Sequence, residues 1–419
     1  VAGLVAACAQ GSGVLSPFLD ATSAPNADNA PEPDDPANGG AAVVSPLDFT
    51  PSNLPKAQLT SGTAPLLVAR TMGDVVLDTD TGRMARRTAG QSLSQALSTG
   101  ADLRPAGVVY TTLQQPGGPG LAVFSASSFT VEAGARLFVR GTRAVAFAIA
   151  GEALVDGEIS ADGGQESPIV PGPGGYAGGV ANTPHGAGPG GGRGIGGPED
   201  LGGGGGGHGA AGGSGGARGN SPGGAAGIVH GSEALVPLGG GSGGGVGGGG
   251  SGGRGGGGGG AIQISARGGI TIGQPGSVHC GGGGGEGGVA DDGGGGGGAG
   301  GAILLEGAAV TVKGTLAANG GGGGAGAEGE ARGASGTVGQ TATTRAPGGQ
   351  GGTDGAAGGL GGASGAPGGA PGGSTQGRTH SDNAGGGGGG GGRIRLRSRA
   401  PLILQGKLSP GENLSQASL

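Results

Sequence analysis

From Gly293 to Gly298, and again from Gly385 to Gly392, the chain offers no side chain at all. A run without Cβ atoms cannot be held by hydrophobic contact. Ordering a glycine also costs more conformational entropy than ordering any other residue. Such a run either stays a flexible coil or packs through its own peptide groups. Glycine supplies 123 of the 419 residues and aromatic residues only 2%, so an ordinary core cannot fill the glycine-rich part. Collagen needs glycine at every third position with abundant proline, whereas the glycines here are contiguous. The ordered solution left is polyglycine II, with three residues per turn and a rise of roughly 3.1 Å. Gly239 to Gly260 suits it best, being broken only by Ser242, Val246, Ser251 and Arg254. The longest runs are expected to be ordered. "ARGASGTVGQTATTRAPGGQ" and similar stretches are expected to be disordered.

Between the glycine runs lies a repeat. "AIQISARGGITIGQPGSVHCGG" from Ala261, "AILLEGAAVTVKGTLAANGG" from Ala302 and "RIRLRSRAPLILQGKLSPGE" from Arg393 align, with a degenerate copy, "AFAIAGEALVDGEISADGG", from Ala146. Each has two period-two segments and a glycine, then an aliphatic residue two positions before a small one. The inward positions are Ile262, Ile264, Ile270, Ile272 and Val278 in the first copy. They are Ile303, Leu305, Val310, Val312 and Leu316 in the second, and Ile394, Leu396, Leu402, Leu404 and Leu408 in the third. Phe147, Ile149, Val155 and Ile159 serve in the degenerate copy. Alternation of this kind puts one face of each strand on a core. One copy of about twenty residues is too small to fold alone and must stack on its neighbours. The expected fold class is mainly β: a parallel β-helix or β-solenoid-like stack interrupted by glycine-rich segments. "FTVEAGARLFVRG" from Phe129 reads as an additional copy. A sandwich of antiparallel hairpins is the alternative.

The chain opens "VAGLVAACAQGSG", where Val5-Ala6-Ala7-Cys8 has the pattern of a bacterial lipobox. No basic n-region precedes it, so the true start is expected to lie upstream. Ala9 to Pro55 is rich in Pro, Asn, Asp, Ala and Ser. It carries Asp20, Asp28, Glu32, Asp34, Asp35 and Asp48 without a Lys or Arg. That composition predicts a disordered tether. The division expected is a lipobox remnant (1–8), an acidic tether (9–55), an N-terminal cap (56–106) and first β repeats (107–164). A glycine-rich insertion (165–260), β repeats (261–320), a second insertion (321–392) and a terminal repeat with its tail (393–419) follow. No apolar run reaches transmembrane length. The net charge of −6 comes from 28 acidic and 22 basic residues, and its excess is local. That balance argues against a nucleic-acid binder, which would be basic over its binding face.

Few residues suggest chemistry. Two cysteines, Cys8 and Cys280, are too few for a disulfide framework. Cys280 aligns with Ala161, Ala318 and Pro410, a small inward position, so it reads as a core residue with His279 facing outward. Asp78-Thr-Asp80-Thr-Gly82 has the start of a calcium loop but lacks its later ligands, so it reads as a polar turn. Asp156, Glu158, Ser160 and Asp162 share the outward parity, as clustered acids in glycosidases do, yet their equivalents elsewhere are ordinary surface residues. Matches to G-x-G-x-x-G carry no information at this glycine content, and no G-x-x-x-x-G-K-[ST] occurs. Arg-Gly-Gly at Arg254 and Arg267 lacks the density and aromatics of an RNA-binding tract. No cofactor, metal site or catalytic residue is expected. Arg393, Arg395, Arg397 and Arg399 alternate along one strand. They are expected first to guard a terminal edge and second to offer a contact for surface polysaccharide or other polyanions.

The Val5–Cys8 lipobox, the acidic Pro-rich tether and the motif "GGAILLEGAAVTVKGTLAANGGGGG" together resemble the glycine-rich surface lipoproteins of myxobacteria and related bacteria. The likeness covers about the last two thirds of the chain, with gaps. More distantly the chain looks like glycine-rich adhesins and autotransporter passengers. The resemblance implies lipidation at Cys8, an outer-membrane or cell-surface location, and no settled activity. The expected function is a non-enzymatic, membrane-anchored surface protein with a structural or adhesive role. The alternatives are a carbohydrate-active β-helix enzyme acting on surface polysaccharide and an ice-binding polyglycine protein. Ice binding needs a regular flat face of Thr or small residues, which the repeats are not expected to supply.

Overall fold

A computed structural model describes residues 47–197, 200–376 and 382–419. Cys8, the lipobox and tether residues 9–46 lie outside the described residues. The N-terminal third forms β1 (Leu66–Val68), β2 (Asp74–Asp78), β3 (Met84–Arg87), helix α1 (Leu93–Thr99), β4 (Val109–Leu113), β5 (Leu121–Ala126), β6 (Phe129–Val131) and β7 (Arg136–Arg140). The degenerate copy supplies β8 (Ala144–Ile149), β9 (Ala153–Val155) and β10 (Glu158–Ser160). The other copies give β11 (Ala261–Ile272) and β12 (Ser277–His279), β13 (Ala302–Val312) and β14 (Thr315–Ala317), then β15 (Arg393–Ser398), β16 (Ile403–Leu404) and β17 (Lys407–Ser409). β18 (Leu414–Ser418) ends the chain.

The strands build two sheets. The larger has 11 strands, seven along the path β1-β6-β9-β11-β13-β15-β18 with β4, β5, β8 and β16 beside it, and the smaller has 7 in the order β17-β14-β12-β10-β7-β2-β3. The copies pair in parallel and in register: Ile262 lies opposite Ile303, Ile303 opposite Ile394, and Val278 opposite Leu316. Each copy sends its strands to both sheets, so the antiparallel-hairpin alternative fails. The aligned inward positions close one core between the sheets. Phe129 and Phe147 stack in it, with centroids 4.4 Å apart.

The expected β-helix or β-solenoid is corrected. The fold is a set of mixed parallel and antiparallel sheets curled as a half-barrel, with only 5% helix. Turn chemistry is one reason. Asp78 accepts from the backbone N–H groups of Asp80 and Thr81, closing a tight turn. β2 and β3 therefore pair antiparallel, as do β4 and β5. "SLSQ" forms a capping box at the start of α1, where Ser92 and Gln95 satisfy each other's backbone N–H. The second reason is connectivity. In a solenoid each repeat touches only its neighbours. Here the long glycine-rich segments interleave, so that Gly387 N–H donates to Gly203 O across 184 residues of chain.

Those segments are ordered. Along 293–301 every third amide finds the same partner segment. Gly293, Gly296 and Ala299 donate to Gly248, Gly245 and Ser242, and Gly294, Gly297 and Gly300 to Ala384, Gly387 and Gly390. Gly295, Gly298 and Gly301 donate to Glu286, Gly283 and Cys280. The carbonyls of the same run accept from three further segments, through Gly253 and Gly256, Gly203 and Gly206, and Gly321 and Gly324. One extended chain is thus surrounded by six others, which is the period of a three-residue helix. A Cβ on Gly296 would stand 2.0 Å from Gly204 O, so the close approach needs glycine. The segment "ARGASGTVGQTATTRAPGGQ", expected to be disordered, joins the same body. Gly333, Gly336 and Gly339 donate to Gly288, Gly285 and Gly282.

The larger sheet is covered on its other face as well. Leu54, Leu59, Leu235 and Leu238 pack over Ala144, Ala146, Ala148 and Leu304. Gln263, Ser265, Leu304 and Glu306, outward by parity, are consequently 0% exposed. Residues 47–55, assigned by composition to the tether, belong to this cover: Leu47 N–H donates to Arg267 O, and Ser52 binds Glu306.

Candidate functional site

The acids singled out by parity meet on the outer face of the smaller sheet. Parallel pairing of β10 and β12 sets Ser160 beside His279. Asp162 follows β10 at the corner. His279 Nδ1 lies 2.8 Å from Asp162 Oδ2 and Nε2 lies 3.1 Å from Glu158 Oε1. Ser160 Oγ donates to Asp162 Oδ2 at 3.0 Å, and Gln165 Nε2 donates to Ser160 Oγ at 3.1 Å. These residues line a cleft of about 270 Å³ walled by Leu93 of α1, Phe138 and Val338. An adjoining cleft of about 200 Å³ shares Leu93, Asp162 and Gln165 and adds Arg140 and Glu166. Asp156 lines neither.

The electrostatics decide what this cluster can do. The His279 side chain is only 5% exposed. Burial by itself lowers its pKa, but the charges and hydrogen bonds of Asp162 and Glu158 outweigh that and raise it to about 10. The hydrogen bond from His279 in turn holds the Glu158 carboxyl below its usual range. At neutral pH the imidazole is a fixed cation and Glu158 a fixed anion. General acid–base chemistry wants groups that exchange a proton near the working pH, and glycosidases keep one carboxyl protonated. A clamp of this kind suits holding hydroxyl or amide groups by hydrogen bonding.

The side chains of Arg393, Arg395 and Arg397 are engaged by the protein. The Arg397 guanidinium binds Glu306 and Ser52 Oγ, and Glu306 also accepts from Ser265 and Gln263. Arg395 donates to Glu233 O and Ser415 Oγ, and Arg393 to His230 O. Arg399 is exposed, and its backbone N–H donates to Gly307 O. β15 is not a free edge, because β18 pairs with it. That overturns the edge-guard expectation. Cys280 is buried, its thiol pushed up by desolvation and by the Asp162 charge, with Sγ on Ala302 O. Asp80 is held by Thr142 and Arg143.

One surface feature escaped the sequence. On the larger sheet the outward residues Leu67, Thr130, Leu154, Thr271, Thr311 and Ile403 stand opposite one another in consecutive strands. They form an in-register row spaced by about 4.8 Å from strand to strand. Leu67 is 40% exposed, Leu154 37% and Ile403 47%. The signal was present in the repeats as the middle residue of each second segment. Its continuation through Leu67 and Thr130 required knowing that β1 and β6 join the same sheet.

No protein-family model matches this chain, and neither the curated proteins nor the solved structures contain a significant match to it.

Proposed function

We propose that the protein is a non-enzymatic, lipid-anchored bacterial cell-surface protein with a structural or adhesive role, acylated at Cys8. The observation that carries it is the exposed row from Leu67 to Ile403. It is an in-register row of exposed Leu67, Leu154 and Ile403 with half-buried Thr130, Thr271 and Thr311 between them, on a body whose Arg393, Arg395 and Arg397 are engaged internally. The locked charges of His279 and Glu158 support binding over turnover at the cleft. The internal engagement of Arg393, Arg395 and Arg397 weakens the polyanion contact as the adhesive element and favours the row.

The test is cell attachment with the row altered. Leu67→Asp, Leu154→Asp and Ile403→Asp together are expected to abolish protein-dependent attachment while surface protease accessibility is unchanged. Undiminished attachment would remove the adhesive role. Cys8→Ala is expected to release the protein from the membrane fraction. In parallel, the purified protein is expected to release no reducing ends from anionic polysaccharides, and turnover would decide for the enzyme. Thr130, Thr271 and Thr311 in register favour one second reading, ice binding. Absence of ice-crystal shaping by the purified protein removes it.

A further inference from the structure

A second cavity, of about 160 Å³, lies against the glycine body. Pro119, Tyr176, Pro189, Leu235 and Pro237 line it together with His208 and His230. No carboxylate is among its walls. The two histidine rings are tilted neighbours with centroids 4.9 Å apart. His230 is fully used: its Nε2 lies 2.8 Å from Ser242 Oγ. That hydroxyl also accepts from Gly190 N–H.

His208 is different. It is 2% exposed, and its Nδ1 lies 2.9 Å from the Gly300 carbonyl. A carbonyl only accepts, so Nδ1 carries the proton and Nε2 carries a lone pair. Burial, followed by the neighbouring His230, lowers its pKa to about 3, so the ring stays neutral. Nε2 lies on the cavity wall. It faces Gly231, another lining residue, whose Cβ would stand 3.3 Å away. Nε2 opens on the cavity, where the O–H of a ligand can take the place of solvent. The Arg393 guanidinium is close enough to lower the His208 pKa, and it disfavours a cation there. An anion would meet a lone pair. A neutral donor on an apolar body fits both walls and acceptor, and a cavity near 150 Å³ holds about one six-membered ring.

We propose that this cavity binds a single hydroxyl-bearing ring of the phenol class, its O–H donating to His208 Nε2 while Tyr176 and the prolines enclose the ring. The ring could come from a free phenolic compound or from a tyrosine side chain. The inference is independent of the adhesive role.

The experiment uses the full chain and two probes of one shape, phenol and anisole, the second lacking the donor. Binding is read from the 15N resonance of His208 Nε2 and from thermal shift. Phenol is expected to move the Nε2 signal and to bind about 5-fold more tightly than anisole, the worth of one hydrogen bond of about 1 kcal/mol. Affinity is expected to rise with hydroxyl acidity across para-substituted phenols. Equal binding of phenol and anisole, or an unmoved Nε2 signal, overturns the proposal, as does saturable zinc binding at His208. His208→Phe keeps the ring volume and should erase the preference for phenol. Should that variant fail to fold, the comparison of probes on the unaltered chain still decides. N-acetyltyrosinamide binding as tightly as phenol assigns the site to a tyrosine side chain, and its exclusion assigns it to a free phenol.

Discussion

At the scale of single residues, two histidines respond to pH in opposite directions. His279 has its pKa raised, so its contribution is complete below the unfolded value of about 6.5 and disappears as pH rises through about 10. Unfolding by urea should therefore show a loss of roughly 4 kcal/mol between pH 6 and 10. His279→Asn should flatten that slope, and an unchanged slope would refute the clamp. His208 has its pKa depressed, so the unfolded chain binds more protons below pH 6.5 and stability falls on acidification. Glycine is the other residue whose role is read one position at a time. Gly296→Ala puts a Cβ against Gly204 O, whereas Gly250 has open space around it. The first substitution should destabilise by more than about 3 kcal/mol. The second should be neutral or stabilise by up to about 1 kcal/mol. Equal effects in thermal melts would contradict the packed glycine body. The composition announced that glycine mattered, but not which glycines, because a run of identical residues carries no register of its own.

At the scale of elements, the repeats were legible and their covering was not. Period-two alternation identified the inward residues of β8 to β17, and the structure packs them between the sheets as aligned, fully buried except for Leu402, Leu404 and Leu408, which are half-buried. The same alignment placed His279 beside Ser160, so the clamp was latent in it. What alternation could not show is that the opposite face of β11 and β13 is also buried. Parallel strands covered on both sides lose the polar-out signal. Here Gln263, Ser265 and Glu306 are polar because they hydrogen-bond one another and residues 52–53. Arg397 belongs to that network as the cation of a fully buried Glu306. Arg397→Ala should cost about 3 kcal/mol in chemical denaturation, since it strands a buried carboxylate. Adding Glu306→Gln should recover part of the loss. Arg399→Ala, on an exposed side chain, should cost almost nothing. If both arginines proved equally dispensable, the buried pair would carry no weight.

At the scale of the whole molecule, the fold couples side-chain packing in the sheets to backbone packing in the glycine body. The amides of 293–301 donate to three neighbours and carbonyls of the same run accept from three more, so these amides should exchange with solvent only on global unfolding. Hydrogen exchange within seconds would mean a flexible coil instead. The sequence by itself determined that this chain could not form a conventional core, that about twenty-residue units recur, and which of their residues point inward. Those properties follow from local periodicity and from the presence or absence of a Cβ. Tertiary structure alone decided the mixed sheets, the ordering of the long glycine segments, the pairing of the arginines and the row from Leu67 to Ile403. Each of these rests on partners far apart in the chain, and a glycine run reads the same whichever neighbour its peptide groups will bond.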